Sequence, residues 1–181
     1  MIKPWQRISS QPVIDLGLFR VNRDRALSPR TEKERDFLVV HMPDWLQIVP
    51  ITGDGRLVLV RQYRHASRLA GLELPGGLLD PDDPGPAEAA ARELEEETGY
   101  GGGRVTPLGS LWPQPAMLAN RVHFFAASPV EPVGPQRLDE GEDVEVVLIR
   151  QQDLDAMIAD GSIHNAMTVA ALAMALRAGV L

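Results

Sequence analysis

Three glutamates in the middle of the chain have the type and spacing to bind a divalent cation. Glu93, Glu96 and Glu97 lie at positions i, i+3 and i+4 of a helix predicted over residues 86–98, so their carboxylates share one face. Without a cation, each like-charged pair on that face costs about 0.2–0.5 kcal/mol, and the helix dipole repels acids near its C-terminal end. Magnesium and manganese prefer carboxylate oxygens and would reverse both penalties. The pattern therefore predicts a metal site, with a solvated acidic helix face as the alternative.

The sequence also marks both ends of this helix. Pro86 suits the first helical position, and Gly99 suits a left-handed C-terminal cap. A core-facing stripe is predicted roughly 120° from the glutamate face. It consists of small and apolar residues: Ala87, Ala90, Ala91, Leu94 and Thr98.

The elements around this helix alternate between strands and helices. A Gly-Asp-Gly turn at residues 53–55 separates two apolar runs, 46–51 and 56–63, which predicts a β-hairpin. Further strands are predicted over residues 72–74, 121–127 and 144–149, helices over 151–159 and 164–178, and loops over 101–119 and 128–143. Together these elements predict an α/β sandwich with a mixed sheet.

Residues 1–44 are predicted to form a separate β extension ahead of a main domain at residues 45–181. Two strand-like runs, 13–21 and 35–42, flank a polar stretch and predict an antiparallel hairpin or short sheet. Two strands alone are marginally stable in water. The extension must therefore pack on the main domain or on a second copy of the protein.

Composition excludes several classes of protein. The chain has 181 residues, of which 44% are hydrophobic and 24% charged, as in ordinary globular domains. A net charge of −7 argues against a general binder of nucleic acid or anionic membranes. The chain contains no cysteine, which excludes disulfides and thiolate chemistry. Because neither a signal peptide nor a spanning segment is visible, we expect a cytoplasmic protein.

Residues 76–100 resemble the Nudix box, G-x5-E-x7-R-E-U-x-E-E-x-G-U, which is the signature of the Nudix hydrolases. Residues 92–99 fit the second half of the pattern throughout. The preceding loop carries one extra residue, so Asp82 or Asp83 replaces the first glutamate. In the family that glutamate braces the loop against the box arginine, here Arg92.

The resemblance implies the Nudix α/β/α sandwich, a Mg²⁺ cofactor for which Mn²⁺ can substitute, and a set of ligands and structural residues. The implied metal ligands are Glu93, Glu97, Glu96 alongside them, and the backbone carbonyl of Gly76. The implied structural residues of the box are Gly77, Arg92 and Gly99. Metals that bridge a pyrophosphate neutralise its charge and activate a water molecule for attack at phosphorus.

Beyond the box, the chain is similar to the ADP-ribose pyrophosphatase-like branch of the family. The similarity covers residues 57–65, 73–77 and 160–166. It implies that Arg64, together with Arg61, binds substrate, and a plain surface arginine is the alternative for Arg64. In relatives the N-terminal extension builds a dimer, so a homodimer is implied.

The general base in this branch is usually a glutamate on a mobile acidic loop. The corresponding loop here covers residues 138–144, in which Glu142 aligns best and Glu140 is the alternative. Either would complete the implied catalytic set with Glu97. A glycine-hinged loop could bring its carboxylate within reach of the attacking water, whereas a solvated acidic turn would have no such role.

Three functions are compatible with these features. The leading hypothesis is Mg²⁺-dependent hydrolysis of ADP-ribose, or a related nucleoside diphosphate sugar, to a nucleoside monophosphate and a sugar phosphate. A GDP-mannose or broad nucleotide-sugar pyrophosphatase is the alternative within the same class. A non-catalytic Nudix-fold sensor is the alternative from another class. Sensors usually lose box acids, and this chain retains Glu93, Glu96 and Glu97.

Overall fold

A computed structural model describes all residues, 1–181, and divides them into two compact units. The first unit contains residues 1–44 and 112–121, and the second contains 45–111 and 122–181. Residues 112–121 belong to the first unit because Val40 exchanges backbone hydrogen bonds with Met117 and Ala119. A domain boundary immediately after residue 44 stays a prediction.

The first unit is built on a three-stranded antiparallel sheet with the order β1-β2-β3. Its strands are β1 (Gln6–Asp15), β2 (Arg20–Leu27) and β3 (Glu34–His41). The single strand predicted over residues 13–21 is wrong. The chain turns there, and the Leu16 N–H donates to the Phe19 carbonyl, so the apolar run is shared between two strands.

The second unit contains a seven-stranded mixed sheet and three α-helices. The strands are β4 (Trp45–Thr52), β5 (Arg56–Arg64), β6 (Leu69–Glu73), β7 (Tyr100–Gly101), β8 (Arg104–Leu111), β9 (Val122–Pro132) and β10 (Val144–Arg150). The helices are α1 (Pro86–Thr98), α2 (Leu154–Ala159) and α3 (Ala166–Arg177). The main path is β10-β5-β4-β9-β7, with β6 paired to β5 and β8 paired to β9. Only β4 and β9 pair in parallel, and the predicted α/β class with a mixed sheet is confirmed.

Two segments predicted as loops contain strands. Residues 101–119 include β8, and β9 continues four residues past Ser128 to Pro132. Pro107 and Gly109 weaken the strand signal of β8, and the ladder with β9 shifts its register between them. An edge strand tolerates such residues because one of its sides needs no hydrogen-bonding partner.

Helices cover both faces of the sheet. On one face α1 contributes Ala89, Ala90 and Leu94 to an apolar cluster with β4 and β9. On the other face α3 contributes Ala171, Leu172 and Ala175 to a second cluster. The stripe predicted for α1 is correct at Ala90, Leu94 and Thr98, whereas Ala89 is buried in place of Ala91. No helix combines the length and apolar character needed to cross a membrane.

Candidate active site

The box residues and the acidic loop meet around one cleft of about 310 Å³ in the second unit. The turn after β6 forms one part of its lining, and α1 forms another. Its charged lining residues include Arg64, Arg92, Glu93, Glu96, Glu97 and Glu142. The cleft therefore combines arginines, which attract phosphate, with carboxylates, which attract a divalent cation.

Glu97 is a buried carboxylate at the inner end of this cleft. Only 3% of the residue is exposed, and its Oε2 accepts a hydrogen bond of 2.9 Å from the Gly76 backbone N–H. Burial raises the pKa of Glu97 to about 8, and the negative charges of Glu93 and Glu142 add to the rise. Glu97 is thus covered by the turn after β6 rather than solvated, whereas Glu96 on the same helix face keeps 31% of its side chain exposed.

Glu93 is a partly buried acid of the cleft, with 13% of its side chain exposed. Burial raises its pKa to about 7, against the opposing charge of Arg92. Its carboxylate lies directly over Gly77, where an added Cβ would be only 2.5 Å from Oε1. The absence of a side chain at Gly77 therefore leaves room for the Glu93 carboxylate.

The turn at Gly76 leaves one backbone carbonyl free. The carbonyls of Pro75 and Gly77 accept hydrogen bonds from Ile48 and Leu46 on β4, whereas the Gly76 carbonyl between them accepts none. A Cβ at Gly76 would collide with the backbone carbonyl oxygen of Leu46. The backbones at Gly76 and Leu46 approach so closely that position 76 requires glycine. The carbonyl oxygen of Gly76 itself remains free.

Asp83 occupies the structural role of the missing box glutamate. Arg92 donates to both of its oxygens at 3.1 Å, and this hydrogen bonding lowers the pKa of Asp83. Asp82 makes no such contact. The same guanidinium contacts Glu96 at 2.8 Å and Glu93 at 3.0 Å, so Arg92 joins the loop to the acids of α1. The predicted C-terminal cap is present as well, because Gly99 is left-handed and its N–H donates to the Glu95 carbonyl.

Of the two candidate bases, the structure brings Glu142 to the cleft. Its Oε2 accepts from the Asp139 N–H at 3.1 Å, and its own N–H donates to the Asp139 carbonyl. Glu142 is also close enough to Glu93 and Glu97 to disfavour their charged forms. Glu140 is exposed and does not line the cleft.

The two arginines of β5 have different surroundings. Arg64 lines the cleft and forms an ion pair with the buried Glu73 at 2.9 Å. Arg61 pairs with Glu145 on β10 at 3.2 Å, with both side chains largely exposed and outside the cleft lining. Side chains alternate between the two faces of a sheet along a strand, so Arg61 and Arg64, three residues apart, face opposite sides and only Arg64 lines the cleft.

The donor set of the cleft fits a hard divalent cation. Glu97 is buried and Glu93 is partly buried, burial raises the pKa of both carboxyl groups, and the Gly76 carbonyl is unpartnered. No group of three acidic or histidine side chains has the geometry to hold an ion. Arg92 forms ion pairs with both Glu93 and Glu96. We therefore take Glu93, Glu97 and the Gly76 carbonyl as the matching donors, with Glu96 adjacent.

Known proteins with similar sequences and structures point to one family. Residues 42–170 match the NUDIX domain. The chain belongs to the Nudix family. It is 29% identical to ADP-ribose pyrophosphatase of Bacillus subtilis (strain 168) over 168 residues, which cover 92% of this chain and 87% of the relative. It is 35% identical to GDP-mannose pyrophosphatase of Pectobacterium atrosepticum over 133 residues, 69% of this chain and 68% of that one. A crystal structure of an ADP compounds hydrolase superposes with a TM-score of 0.85 at 25% identity, covering 98% of this chain and 95% of that chain.

The prediction of a Nudix hydrolase is thereby confirmed, and the structure adds two residues that sequence reasoning missed. Glu73 binds Arg64, and its sequence signals are an acid between two apolar strand residues and its place in the run 73–77 that is similar to the ADP-ribose pyrophosphatase-like branch. Gln136 donates through Nε2 to the carbonyls of Glu97 and Val144. It thus ties the end of the box helix to the start of β10, beside the acidic loop.

Proposed function

We propose that this Nudix hydrolase cleaves the pyrophosphate bond of ADP-ribose or a related nucleoside diphosphate sugar, with Mg²⁺ as cofactor and Mn²⁺ able to replace it. The observation that carries the proposal is the buried carboxylate of Glu97 and the partly buried carboxylate of Glu93 beside the free carbonyl of Gly76, in a cleft that also contains Arg64. Two neighbouring acids that are withdrawn from water are costly when no cation is bound. They are useful where a cation and a pyrophosphate bind together.

Each residue of the cleft has a defined part in this reaction. Arg64 binds a phosphate oxygen, because a guanidinium matches phosphate in charge and geometry. Glu142 accepts a proton from the attacking water, and the Asp139 N–H orients its carboxylate. Glu93, Glu97 and the Gly76 carbonyl would hold the divalent cation, which supplies charge neutralisation of the pyrophosphate and acidifies bound water. The walls around Glu97 exclude bulk water and strengthen these electrostatic interactions.

GDP-mannose is the second candidate substrate. The GDP-mannose pyrophosphatase of Pectobacterium atrosepticum has a higher identity over its aligned region than the ADP-ribose pyrophosphatase of Bacillus subtilis, which aligns over more of the chain. The charged lining of the cleft recognises pyrophosphate rather than a particular base or sugar. The cleft therefore suits ADP-ribose and GDP-mannose equally in its charged lining.

The deciding experiment is a substrate panel. Purified protein with Mg²⁺ or Mn²⁺ is incubated with ADP-ribose, GDP-mannose, UDP-glucose, NADH and diadenosine polyphosphates, and the products are separated by chromatography. We expect AMP to form from ADP-ribose faster than product forms from the other compounds. Preference for GDP-mannose would retain the reaction and change the substrate. No turnover with either metal would favour the nucleotide sensor.

We also propose that the protein acts as a cytoplasmic homodimer. The three-stranded sheet of the first unit exposes large apolar side chains, among them Ile8, Ile14, Phe37 and Leu38. Because successive strand residues such as Phe37 and Leu38 face opposite sides, the sheet exposes apolar side chains on both faces, and a second copy would cover part of them. Light scattering after size-exclusion chromatography should give twice the chain mass, and a monomer at micromolar concentration would contradict the proposal.

A further inference from the structure

Glu73 is a buried charge that the reaction itself does not use. The residue is 1% exposed and lies between Leu72 and Leu74, which belong to the apolar core. Arg64 supplies every hydrogen bond that its carboxylate accepts. A buried ion pair is often no more stabilising than apolar residues of similar volume. Stability alone therefore gives little reason for an acid at this position.

The contacts use one edge of the Arg64 guanidinium and leave the other free. Nε lies 3.3 Å from Oε1 and 3.2 Å from Oε2 of Glu73, and Nη2 lies 2.9 Å from Oε2. Nη1 has no hydrogen-bonding partner. The Arg64 side chain is 37% exposed and lines the cleft. Because the guanidinium group is planar and rigid, hydrogen bonds along one edge fix the direction of the N–H groups on the other edge.

The cleft also contains groups that compete for Arg64. Burial raises the pKa of Glu97, and the nearby positive charge of Arg64 partly opposes that rise. This attraction favours a conformation in which the Arg64 guanidinium lies against Glu97. The Glu73 carboxylate, which does not line the cleft, provides a competing anion that accepts several hydrogen bonds from Arg64.

We propose that Glu73 is a positioning residue: it holds Arg64 by its Nε–Nη2 edge, so that Nη1 is presented to a phosphate oxygen of a nucleoside diphosphate substrate. The inference rests on the proposed function. In this arrangement Glu73 contacts no substrate atom. Its contribution is to the affinity for the phosphate, through the orientation of Arg64, rather than to the chemical step.

The test compares Glu73→Gln, which keeps the shape and removes the charge, with the wild-type protein in steady-state kinetics on ADP-ribose with Mg²⁺. We expect KM to rise on the order of tenfold, the value of one charge-assisted hydrogen bond, and kcat to change much less. Glu73→Asp keeps the charge and should recover part of the affinity. The matched control is Glu145→Gln, which removes the exposed partner of Arg61 on β10 and should leave KM unchanged.

A double-mutant cycle separates positioning from general damage. Arg64→Ala should raise KM, and adding Glu73→Gln to it should raise KM no further, because the orienting carboxylate then has nothing to orient. Additive losses would overturn the inference. If Glu73→Gln does not fold, the KM of Arg64→Lys is measured instead, because lysine keeps the positive charge but cannot form the paired Nε and Nη2 hydrogen bonds to Glu73. An unchanged KM in that variant would also overturn the inference.

The two proposals fail in different ways. Wild-type turnover together with an unchanged KM in Glu73→Gln would overturn the positioning role and leave the proposed function intact. Absence of wild-type turnover would remove the proposed function, and calorimetric binding of ADP-ribose would then decide the inference. Weaker binding by Glu73→Gln and Arg64→Lys than by wild type would support it. Equal binding, or no binding by the wild-type protein, would overturn it.

Discussion

Asp83 and Arg92 form a two-point ion pair in which Nε donates to Oδ1 and Nη2 donates to Oδ2, both at 3.1 Å. The Asp83 Oδ2 also accepts from the Asp80 N–H at 2.9 Å, so the acid fastens its own loop as well as the helix. An aspartate is one methylene shorter than the glutamate of the Nudix box. The loop here has one more residue than the box pattern, and Asp83 reaches both guanidinium nitrogens despite its shorter side chain.

Breaking this pair should weaken both the fold and the site. Asp83→Asn removes the charge, and we expect the free energy of unfolding to fall by about 1–3 kcal/mol, as for other partly buried hydrogen bonds to a charged group. Arg92 would then bind Glu93 and Glu96 more strongly, so the apparent affinity for Mg²⁺ should fall too. Chemical denaturation and Mg²⁺ titration of activity measure the two effects. Asp82→Asn, an exposed neighbour without such a pair, is the control, and equal effects in both variants would contradict the assignment.

The sequence predicted the box helix and its face of acids but not the environment of that face. The 100° periodicity places Glu93 and Glu97 side by side, and Pro86 and Gly99 mark the ends, because these are local properties of one segment. Whether Glu97 is solvated depends on the turn at Gly76, which packs over it from another strand. The choice of Asp83 over Asp82 depends on loop geometry. The Arg64–Glu73 pair depends on the register of β5 against β6, which no local pattern contains.

Gly76 and Gly77 are adjacent but should respond differently to a methyl group. Gly77→Ala would press on the Glu93 carboxylate, the movable end of a side chain, so we expect a folded protein with weaker Mg²⁺ binding. Gly76→Ala would collide with the backbone of β4 at Leu46, so we expect a loss of about 1–3 kcal/mol of stability from overpacking. Thermal unfolding and Mg²⁺ titration distinguish the two outcomes. A Gly77→Ala protein with unchanged metal affinity would show that Glu93 does not need its present position.

The raised pKa values of Glu93 and Glu97 should make the metal-free protein less stable as the pH rises. The folded-state pKa values of about 7 for Glu93 and about 8 for Glu97 exceed their ordinary value of 4.5. Their contribution to stability is therefore fully present below about pH 4.5 and is lost as the pH rises through 7 and 8. A cation binds the ionised acids, so Mg²⁺ should raise Tm more at pH 8.5 than at pH 6.

Glu97→Gln is the control for this pH dependence. It removes one of the two titrating groups and should flatten the decline in Tm measured in EDTA, whereas Glu95→Gln should leave the decline unchanged because Glu95 is paired weakly with Arg137 outside the acid cluster. A wild-type Tm in EDTA that stays constant between pH 5.5 and 8.5 would contradict the assignment.

Glu142 and Glu140 stand two residues apart on the same loop, which allows a direct test of the general base. We expect Glu142→Gln to lower kcat by about 10²–10⁴-fold, the usual contribution of general acid–base catalysis, because only Glu142 lines the cleft with Glu93 and Glu97. Its KM and its Mg²⁺-dependent rise in Tm should stay close to wild type, since the proposed metal donors remain. Glu140→Gln should change kcat only slightly. The opposite ranking would assign the base to Glu140, and full activity in both variants would place the base outside this loop.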